Sequence, residues 1–202
     1  MMTVIFTRQG RDPMRTGSRQ RMVQSAALLF SQFGFSGTGF RDVIAHSGAP
    51  RGSIYHHFPG GKTQLGQEAV DYSTDVVAAQ MAKDGDPLGV LRTFVTGWRR
   101  TLRTSDFRAG CPVVAVAVEA HEGPELGDAA AAAFARWEDL LAAAMRHSGI
   151  RRGRANRLAT LTVAAVEGAV VLCRARRDTR PLDRVERELR EAIESASAAA
   201  LA

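Results

Sequence analysis

The sequence predicts an all-α protein. Apolar side chains recur every three or four residues along most of the chain, which is the spacing of one face of a helix. Glycine and proline residues punctuate this pattern and divide it into separate helical segments. No stretch of alternating apolar and polar residues lies between hairpin turns, so no strand is predicted.

The chain is predicted to divide into a flexible basic arm (residues 1–17), a three-helix domain (residues 18–62) and a larger helical domain (residues 63–202). The arm lacks apolar periodicity and contains glycine and proline. The first helix begins near Ser18 and ends at Gly34, since glycine commonly follows the last turn of a helix. In the larger domain, helices are predicted over 63–82, 88–103, 111–119, 124–147, 155–177 and 181–199.

Two short helices complete the three-helix domain and form a helix-turn-helix candidate. Thr38 is expected to cap the second helix. Pro50 is expected to open the third, because the first residue of a helix does not need its N–H. Gly48 gives the turn between the two helices its flexibility. Ile54 is predicted to anchor the third helix in the core.

The positive charge is concentrated in the first 62 residues. This segment holds eight Arg and Lys residues against Asp12 and Asp42, and it therefore carries the whole formal net charge of +6. A basic end on a neutral body favours a polyanionic partner, nucleic acid before an acidic membrane surface. A solvated basic segment would give the same count.

Secreted and membrane-spanning classes are not expected. Cys111 and Cys173 are too few and too far apart for a disulfide scaffold or a zinc knuckle, which indicates a reducing, cytoplasmic compartment. No leader with an apolar centre and no membrane-spanning run is recognised, so no membrane partner is predicted.

An enzyme is not expected either. The sequence contains no nucleophile elbow, no HExxH motif and no nucleotide-binding glycine motif. Residues 61–63 (GKT) lack the first glycine and the preceding strand of a phosphate-binding loop. His56 and His57 point apart on a helix and lack a third ligand. No cofactor and no metal are therefore predicted.

Three short motifs follow one another near the N-terminus. They are FSQFGF at 30–35, TGFRDV at 38–43 and GAPRGSIYHHF at 48–58. In this order they resemble the DNA-binding domain of TetR-type repressors over residues 18–70. The longer string at 47–62, with GCP at 110–112 and EGA at 167–169, is similar to a subgroup linked to drug-resistance and efflux genes.

The third helix carries side chains that suit DNA. Arginine at a helix N-terminus can reach guanine N7 and O6, and hydroxyl and imidazole groups can bind phosphates. The resemblance implies that Arg51–Ser53 face the bases, and that Thr38, Tyr55, His57 and Lys62 bind the backbone. The full set of predicted DNA contacts is Thr38, Arg41, Ala49, Pro50, Arg51, Gly52, Ser53, Tyr55, His56, His57 and Lys62.

The resemblance also implies that the C-terminal domain dimerises and binds a small molecule. The residues agree with dimerisation, since the segment from Leu158 to Cys173 is apolar nearly all round and contains one charge, Glu167. Such a helix is buried on two sides, against its own subunit and against a partner. The predicted four-helix interface comprises Val166, Val170, Cys173, Leu182, Val185, Leu189 and Ile193.

Candidate pocket residues are apolar or aromatic side chains with one acid. Each aromatic side chain could equally belong to the core. Glu167 could hold a cationic or hydroxylated ligand, or be a hydrogen-bonded acid of the interface. Cys111 stands at a helix start, where a lowered thiol pKa permits redox sensing, although a core cysteine is favoured. The set is Phe94, Trp98, Phe107, Cys111, Val114, Trp137, Leu141, Val163 and Glu167.

Together these observations predict a homodimeric repressor that binds a palindromic operator. The resemblance implies that a small hydrophobic or amphipathic effector releases it from the DNA. Its partners would be double-stranded DNA, a second copy of itself and the effector. Two alternatives are a ligand-independent architectural DNA-binding protein and a thiol-based redox-sensing repressor that uses Cys111.

Overall fold

The structure is a computed structural model, and it describes residues 17–50, 52–119 and 123–201. Within these ranges the chain forms nine α-helices and no strand, which confirms the predicted all-α class. Residues 1–16 of the predicted arm lie outside the described residues. The helices are α1 (Ser18–Phe33), α2 (Phe40–Ser47), α3 (Ser53–His57), α4 (Gly61–Met81), α5 (Pro87–Thr104), α6 (Pro112–Val118), α7 (Pro124–His147), α8 (Arg152–Arg176) and α9 (Arg180–Leu201).

Close packing divides the described chain into two compact units. The first unit holds the described residues up to Val76, together with Arg108–Ala133. The second holds Val77–Phe107 and the described residues from Phe134 onward. Helices α4 and α7 therefore each contribute to both units. The predicted end of the three-helix domain, Lys62, lies in the first turn of α4, and this functional boundary stays a prediction.

Helix α1 is the centre of the first unit, where it packs against α2, α3 and α6. Met22, Ala26 and Phe30 lie one turn apart on α1 and are at most 1% exposed. Burial of such a stripe supplies most of the stability of a helix in a protein. Gly66 permits a further close contact, because a Cβ there would lie 2.8 Å from both Leu126 and the ring of Phe35.

Helix α5 is the centre of the second unit, where it packs against α8 and α9. Asp86 caps α5, since its Oδ1 accepts hydrogen bonds from the N–H groups of Leu88 and Gly89, each at 3.0 Å. Pro87 occupies the first turn, where its missing N–H costs nothing. The cap and the proline together explain why the helix begins at this point.

Arg99 ties α5 to α9 by two ion pairs. Its guanidinium lies 2.9 Å from Asp183 Oδ1 and 2.8 Å from Glu186 Oε2. Burial lowers the pKa of Arg99, but the hydrogen bonds to Glu186 and Asp183 outweigh that effect and raise the pKa above its ordinary value. The arginine therefore stays charged at the edge of the unit.

Helices α8 and α9 pack along one another and carry the residues predicted to form a dimer interface. Val185 is half-buried. The other six side chains are buried within one chain, and their predicted contact with a partner stays a prediction, because apolar periodicity shows which face of a helix is buried but not what covers it. These side chains, at most 3% exposed within one chain, are Val166, Val170, Cys173, Leu182, Leu189 and Ile193.

Helix α8 is also long and apolar enough to cross a membrane, judged by length and composition alone. It is the one such helix in the described part of the chain. Half of its most apolar stretch is buried against the rest of the chain, and the core helix of a soluble protein meets the same criteria.

Candidate nucleic-acid interface

Gly39 and Asp42 organise the start of α2. Gly39 is the capping residue, and Asp42 Oδ2 accepts a hydrogen bond from its N–H at 2.8 Å. Thr38 is 2% exposed, and its Oγ1 donates to the carbonyl of Gly34 at 2.9 Å. The predicted capping role of Thr38 is therefore wrong, because its hydroxyl closes the turn between α1 and α2. Its phosphate contact stays a prediction.

The turn between α2 and α3 depends on Gly48 and Ile54. Gly48 follows α2 with φ 63° and ψ 21°, the left-handed conformation that glycine adopts at low cost. Ala49 is 7% exposed, and its N–H donates to Ser47 Oγ at 3.3 Å. Ile54 is fully buried, which confirms the predicted anchor. Ala49 thus shapes the turn from the inside, and its predicted contact with DNA remains untested.

Helix α3 begins at Ser53, three residues later than predicted. The carbonyl of Pro50 accepts hydrogen bonds from the N–H and the Oγ of Ser53, at 3.0 and 2.7 Å. Pro50 therefore belongs to a turn that precedes the helix, and this corrects its predicted place in the first helical turn. Arg51, the predicted base-reading residue, lies outside the described residues.

Tyr55 is the most exposed large hydrophobic side chain in the described part of the helix-turn-helix. It is 70% exposed, and its ring contacts Phe40 of α2 edge to face, with 5.6 Å between the ring centres. The contact holds the ring in place while most of the side chain stays available to a phosphate. The predicted DNA contacts that the structure exposes are Arg41, Pro50, Gly52, Tyr55 and His56.

His57 and Lys62 are half-buried because both contact other parts of the first unit. His57 Nε2 is hydrogen-bonded to Ser18 Oγ at 2.8 Å, which joins the end of α3 to the start of α1. Lys62 Nζ lies 4.4 Å from the centre of the Phe35 ring and 3.4 Å from the carbonyl oxygen of Ser36. Each side chain can offer a phosphate only part of its surface.

Two arginines of α1 support the helix-turn-helix, a role that the sequence alone did not predict. Arg19 forms an ion pair with Glu68 at 2.5 Å, and it lies 5.2 Å from the centre of the Phe58 ring. Arg21 Nε donates to the carbonyl of Ser47, the last residue of α2, at 3.3 Å. These partners are 26 and 49 residues away, so no local pattern identifies them. Part of the basic charge therefore holds the unit together.

An aromatic cluster lies in the second unit and contains three predicted pocket residues. The ring centre of Phe94 lies 6.3 Å from that of Trp98 and 5.9 Å from that of Trp137. The ring centre of Phe134, which is not among the predicted pocket residues, lies 5.8 Å from that of Trp137. The predicted pocket residues that are at most 7% exposed in this unit are Phe94, Trp98, Trp137, Leu141, Val163 and Glu167.

The other three predicted pocket residues differ in position. Phe107 is half-buried in the loop after α5 and has φ 58°. Cys111 and Val114 belong to the first unit. Cys111 is a buried cysteine outside any disulfide and is 6% exposed. No group of three His, Cys, Asp or Glu side chains suited to a metal ion occurs in residues 17–50, 52–119 or 123–201.

Helix α8 leaves one apolar face uncovered. Leu161, Val171 and Leu172 are 51, 53 and 45% exposed. Exposed aliphatic side chains that recur at helical spacing are typical of a surface that meets another protein. We call this face the α8 stripe, and it comprises Leu161, Ala164, Gly168, Val171, Leu172 and Ala175.

Both parts of the chain match known protein families. Residues 23–69, which contain the helix-turn-helix, match the family of bacterial regulatory proteins described as the tetR family. Residues 87–188 match the C-terminal domain of LmrA/YxaF-like transcriptional regulators.

Known relatives are similar over most of their length. An uncharacterized HTH-type transcriptional regulator of Mycobacterium tuberculosis is 47% identical over 184 residues, which cover 88% of this chain and 94% of the relative. The HTH-type transcriptional regulator LmrA of Bacillus subtilis is 32% identical over 170 residues, which cover 82% of this chain and 90% of LmrA. These relatives are transcriptional regulators and not enzymes.

Solved structures share the fold. A TetR transcriptional regulator from Legionella pneumophila gives a TM-score of 0.79 at 20% identity, covering 87% of this chain and 97% of that one. A TetR transcriptional regulator from Chloroflexus aurantiacus gives a TM-score of 0.69 at 29% identity, and the match covers 88% of this chain and 94% of that one. Since the DNA-binding helices and the C-terminal domain are both matched, the chain belongs to the TetR family of DNA-binding transcriptional regulators, in the group with an LmrA/YxaF-like C-terminal domain.

Proposed function

We propose that this TetR-family regulator is a cytoplasmic, homodimeric repressor of a palindromic operator. The observation that carries the proposal is the exposed surface of α2 and α3, on which Arg41, Tyr55 and His56 are all exposed, as is Gly52 just before α3. This surface belongs to the segment that holds the entire net positive charge. Basic and hydroxyl-bearing side chains on a short, glycine-preceded helix suit a major groove and its flanking phosphates.

The contacts divide into base reading and backbone binding. We assign base reading to Arg51–Ser53, because arginine and backbone groups at a helix start can approach guanine N7 and O6. We assign phosphate binding to Tyr55, His57 and Lys62. Phosphate contacts supply most of the affinity and its salt dependence, while base contacts supply the choice of sequence.

The α8 stripe is the proposed dimer contact. Its three large side chains are about half exposed in a single chain, and burial of such area is favourable at about 25 cal/mol per Å². A second copy of the chain presents the same stripe, so two copies can bury it by a twofold arrangement. Two recognition helices would then enter successive major grooves, which are about 34–36 Å apart.

The effector is proposed to bind in the second unit. The cluster of Phe94, Trp98 and Trp137 supplies an apolar, aromatic lining, and Glu167 is a buried acid of the same unit. An aromatic lining with one polar group suits a small amphipathic molecule. An effector that binds more tightly to a state unable to hold the operator lowers operator affinity by linkage.

Base reading is tested with a duplex selected from a random pool by the wild-type protein. We expect Arg51→Ala to weaken binding to the selected duplex by about 1–3 kcal/mol and to change binding to random DNA much less. Arg154→Ala, which removes an exposed arginine of α8, is the matched control and should change neither. An equal loss on both duplexes would contradict base reading by Arg51.

The effector is tested on the same selected complex. A panel of amphipathic compounds is added to the complex in a gel-shift experiment, and at least one compound should release the DNA. A complex that no compound releases would favour a regulator without a ligand.

A further inference from the structure

A carboxylate from the end of α6 is bound by the turn between α1 and α2. Glu119 follows α6, and its Oε2 accepts a hydrogen bond from the N–H of Ser36 at 2.6 Å and another from Ser36 Oγ. The N–H of Phe35 is also hydrogen-bonded to this carboxyl group. The contact joins residues 83 positions apart in sequence, and all of them lie in the first unit.

The turn is built around the charged form of Glu119. Partial burial raises the pKa of Glu119, but the hydrogen bonds from Ser36 and Phe35 and the nearby charge of Lys62 outweigh it and lower the pKa. Lys62 Nζ contacts the carbonyl of the same Ser36 and the ring of the same Phe35. The Glu119 carboxylate therefore binds the N–H of Ser36, while the Lys62 ammonium group binds the carbonyl of the same residue.

Gly34 provides the space for this carboxylate. A Cβ at Gly34 would lie 2.5 Å from Glu119 Oε1, closer than a carbon atom can approach an oxygen without displacement. Gly34 also has φ 81°, a conformation that favours glycine. Gly34 thus leaves room for the Glu119 carboxylate, and the N–H groups of Phe35 and Ser36 bind it.

The same turn leads directly into α2. Thr38 Oγ1 donates to the carbonyl of Gly34, and Gly39 then caps the helix that begins at Phe40. A displacement of Ser36 therefore moves the start of α2, which carries the exposed Arg41. A helix N-terminus can bind a DNA phosphate, and phosphate contacts fix the register of a DNA-binding domain.

We propose that Glu119 is a positioning residue for DNA binding, whose carboxylate holds the α1–α2 turn and thereby the start of α2. The proposal rests on the DNA-binding function. Electrostatics alone predicts the opposite result, because removal of an acid from a basic DNA-binding unit should strengthen binding to a polyanion. Loss of positioning weakens binding to the selected operator instead.

The test compares Glu119→Ala with Glu125→Ala. Glu125 is an exposed acid of the same unit, so its variant measures the effect of charge alone. We expect Glu119→Ala to weaken binding to the selected duplex about tenfold, as for the loss of a charge-assisted contact. Glu125→Ala should bind as the wild type does or slightly more tightly. In the DNA-free protein, amide hydrogen exchange at Phe35 and Ser36 should become about tenfold faster in Glu119→Ala alone.

Two results would overturn the proposal. One is a Glu119→Ala protein that binds the duplex as tightly as Glu125→Ala does. The other is unchanged exchange at Phe35 and Ser36, which would mean that Glu119 does not hold the turn. If Glu119→Ala does not fold, the same measurements are made on Glu119→Gln and Ser36→Ala, for which we expect smaller losses of affinity for the selected duplex. A wild-type protein that selects no duplex would instead contradict the DNA-binding function, and the exchange result would still decide whether the contact holds the turn.

Discussion

At the scale of single residues, Tyr55 allows a direct test of the proposed phosphate-binding surface. Tyr55→Phe keeps the ring contact with Phe40 and removes the hydroxyl. We expect affinity for the selected duplex and for random DNA to fall alike by about 0.5–1.5 kcal/mol, the usual value of one hydrogen bond. Fluorescence anisotropy with labelled duplexes measures both. Tyr72→Phe, at the other tyrosine of the chain, should change neither affinity, and a loss confined to the selected duplex would indicate base reading.

Glu119 is expected to stabilise the folded protein in a way that is lost in acid. Its pKa is lower in the folded protein than in the unfolded chain. The stabilisation is therefore complete above the ordinary carboxyl pKa of about 4.3, and it is lost as the pH falls through the lower folded value. We expect the stability difference between the wild type and Glu119→Gln to shrink below about pH 4.3. Thermal unfolding at a series of pH values measures it, and a difference that stays constant would contradict the prediction.

The charged residues also show how far a charge count can be interpreted. The sequence predicts that the basic segment meets a polyanion, and membership of a DNA-binding family agrees. The count does not distinguish Arg41, which is exposed, from Arg19, which is paired with Glu68. Because ion pairs form between residues distant in sequence, only the folded chain shows which cations remain for DNA.

At the scale of elements, hydrogen bonds at helix ends decide where helices start. The sequence predicts the existence and approximate range of every helix in the described chain. It misplaces the cap of α2 and the start of α3, because Thr38 donates to Gly34 and the carbonyl of Pro50 accepts from Ser53. Such choices between neighbouring capping groups differ by about 1 kcal/mol, which is too little for a sequence pattern to settle.

Asp86 gives a quantitative test of one such cap. Asp86→Ala removes the acceptor of two N–H groups of α5. We expect the free energy of unfolding of the second unit to fall by about 1 kcal/mol. Urea denaturation followed by tryptophan fluorescence suits this test, since Trp98 and Trp137 both lie in that unit. Asp139→Ala, at an exposed acid of α7, is the control and should change stability by less than half as much.

At the scale of the whole molecule, the α8 stripe predicts the oligomeric state. Val171→Glu places a charge in the middle of the stripe, where a dimer would have to bury it at high cost. We expect the wild type to have twice the mass of a 21.8 kDa chain in light scattering, and the variant to have the mass of one chain. Ala135→Glu, at an exposed position of α7, should remain a dimer. A Val171→Glu dimer would exclude the stripe as the interface.

The sequence by itself determined the all-α class, the order of the helices, the anchor Ile54 and the likeness to a DNA-binding family. These properties depend on local spacing and on motifs whose residues are close together in the chain. Only the tertiary structure decided that Val166 and Leu189 are buried within one chain, while Leu161 and Val171 are about half exposed. It also showed that Glu119 binds the turn at Ser36. The spacing of apolar residues shows which side chains are shielded from water. Which residue each of them contacts depends on the packing of distant parts of the chain.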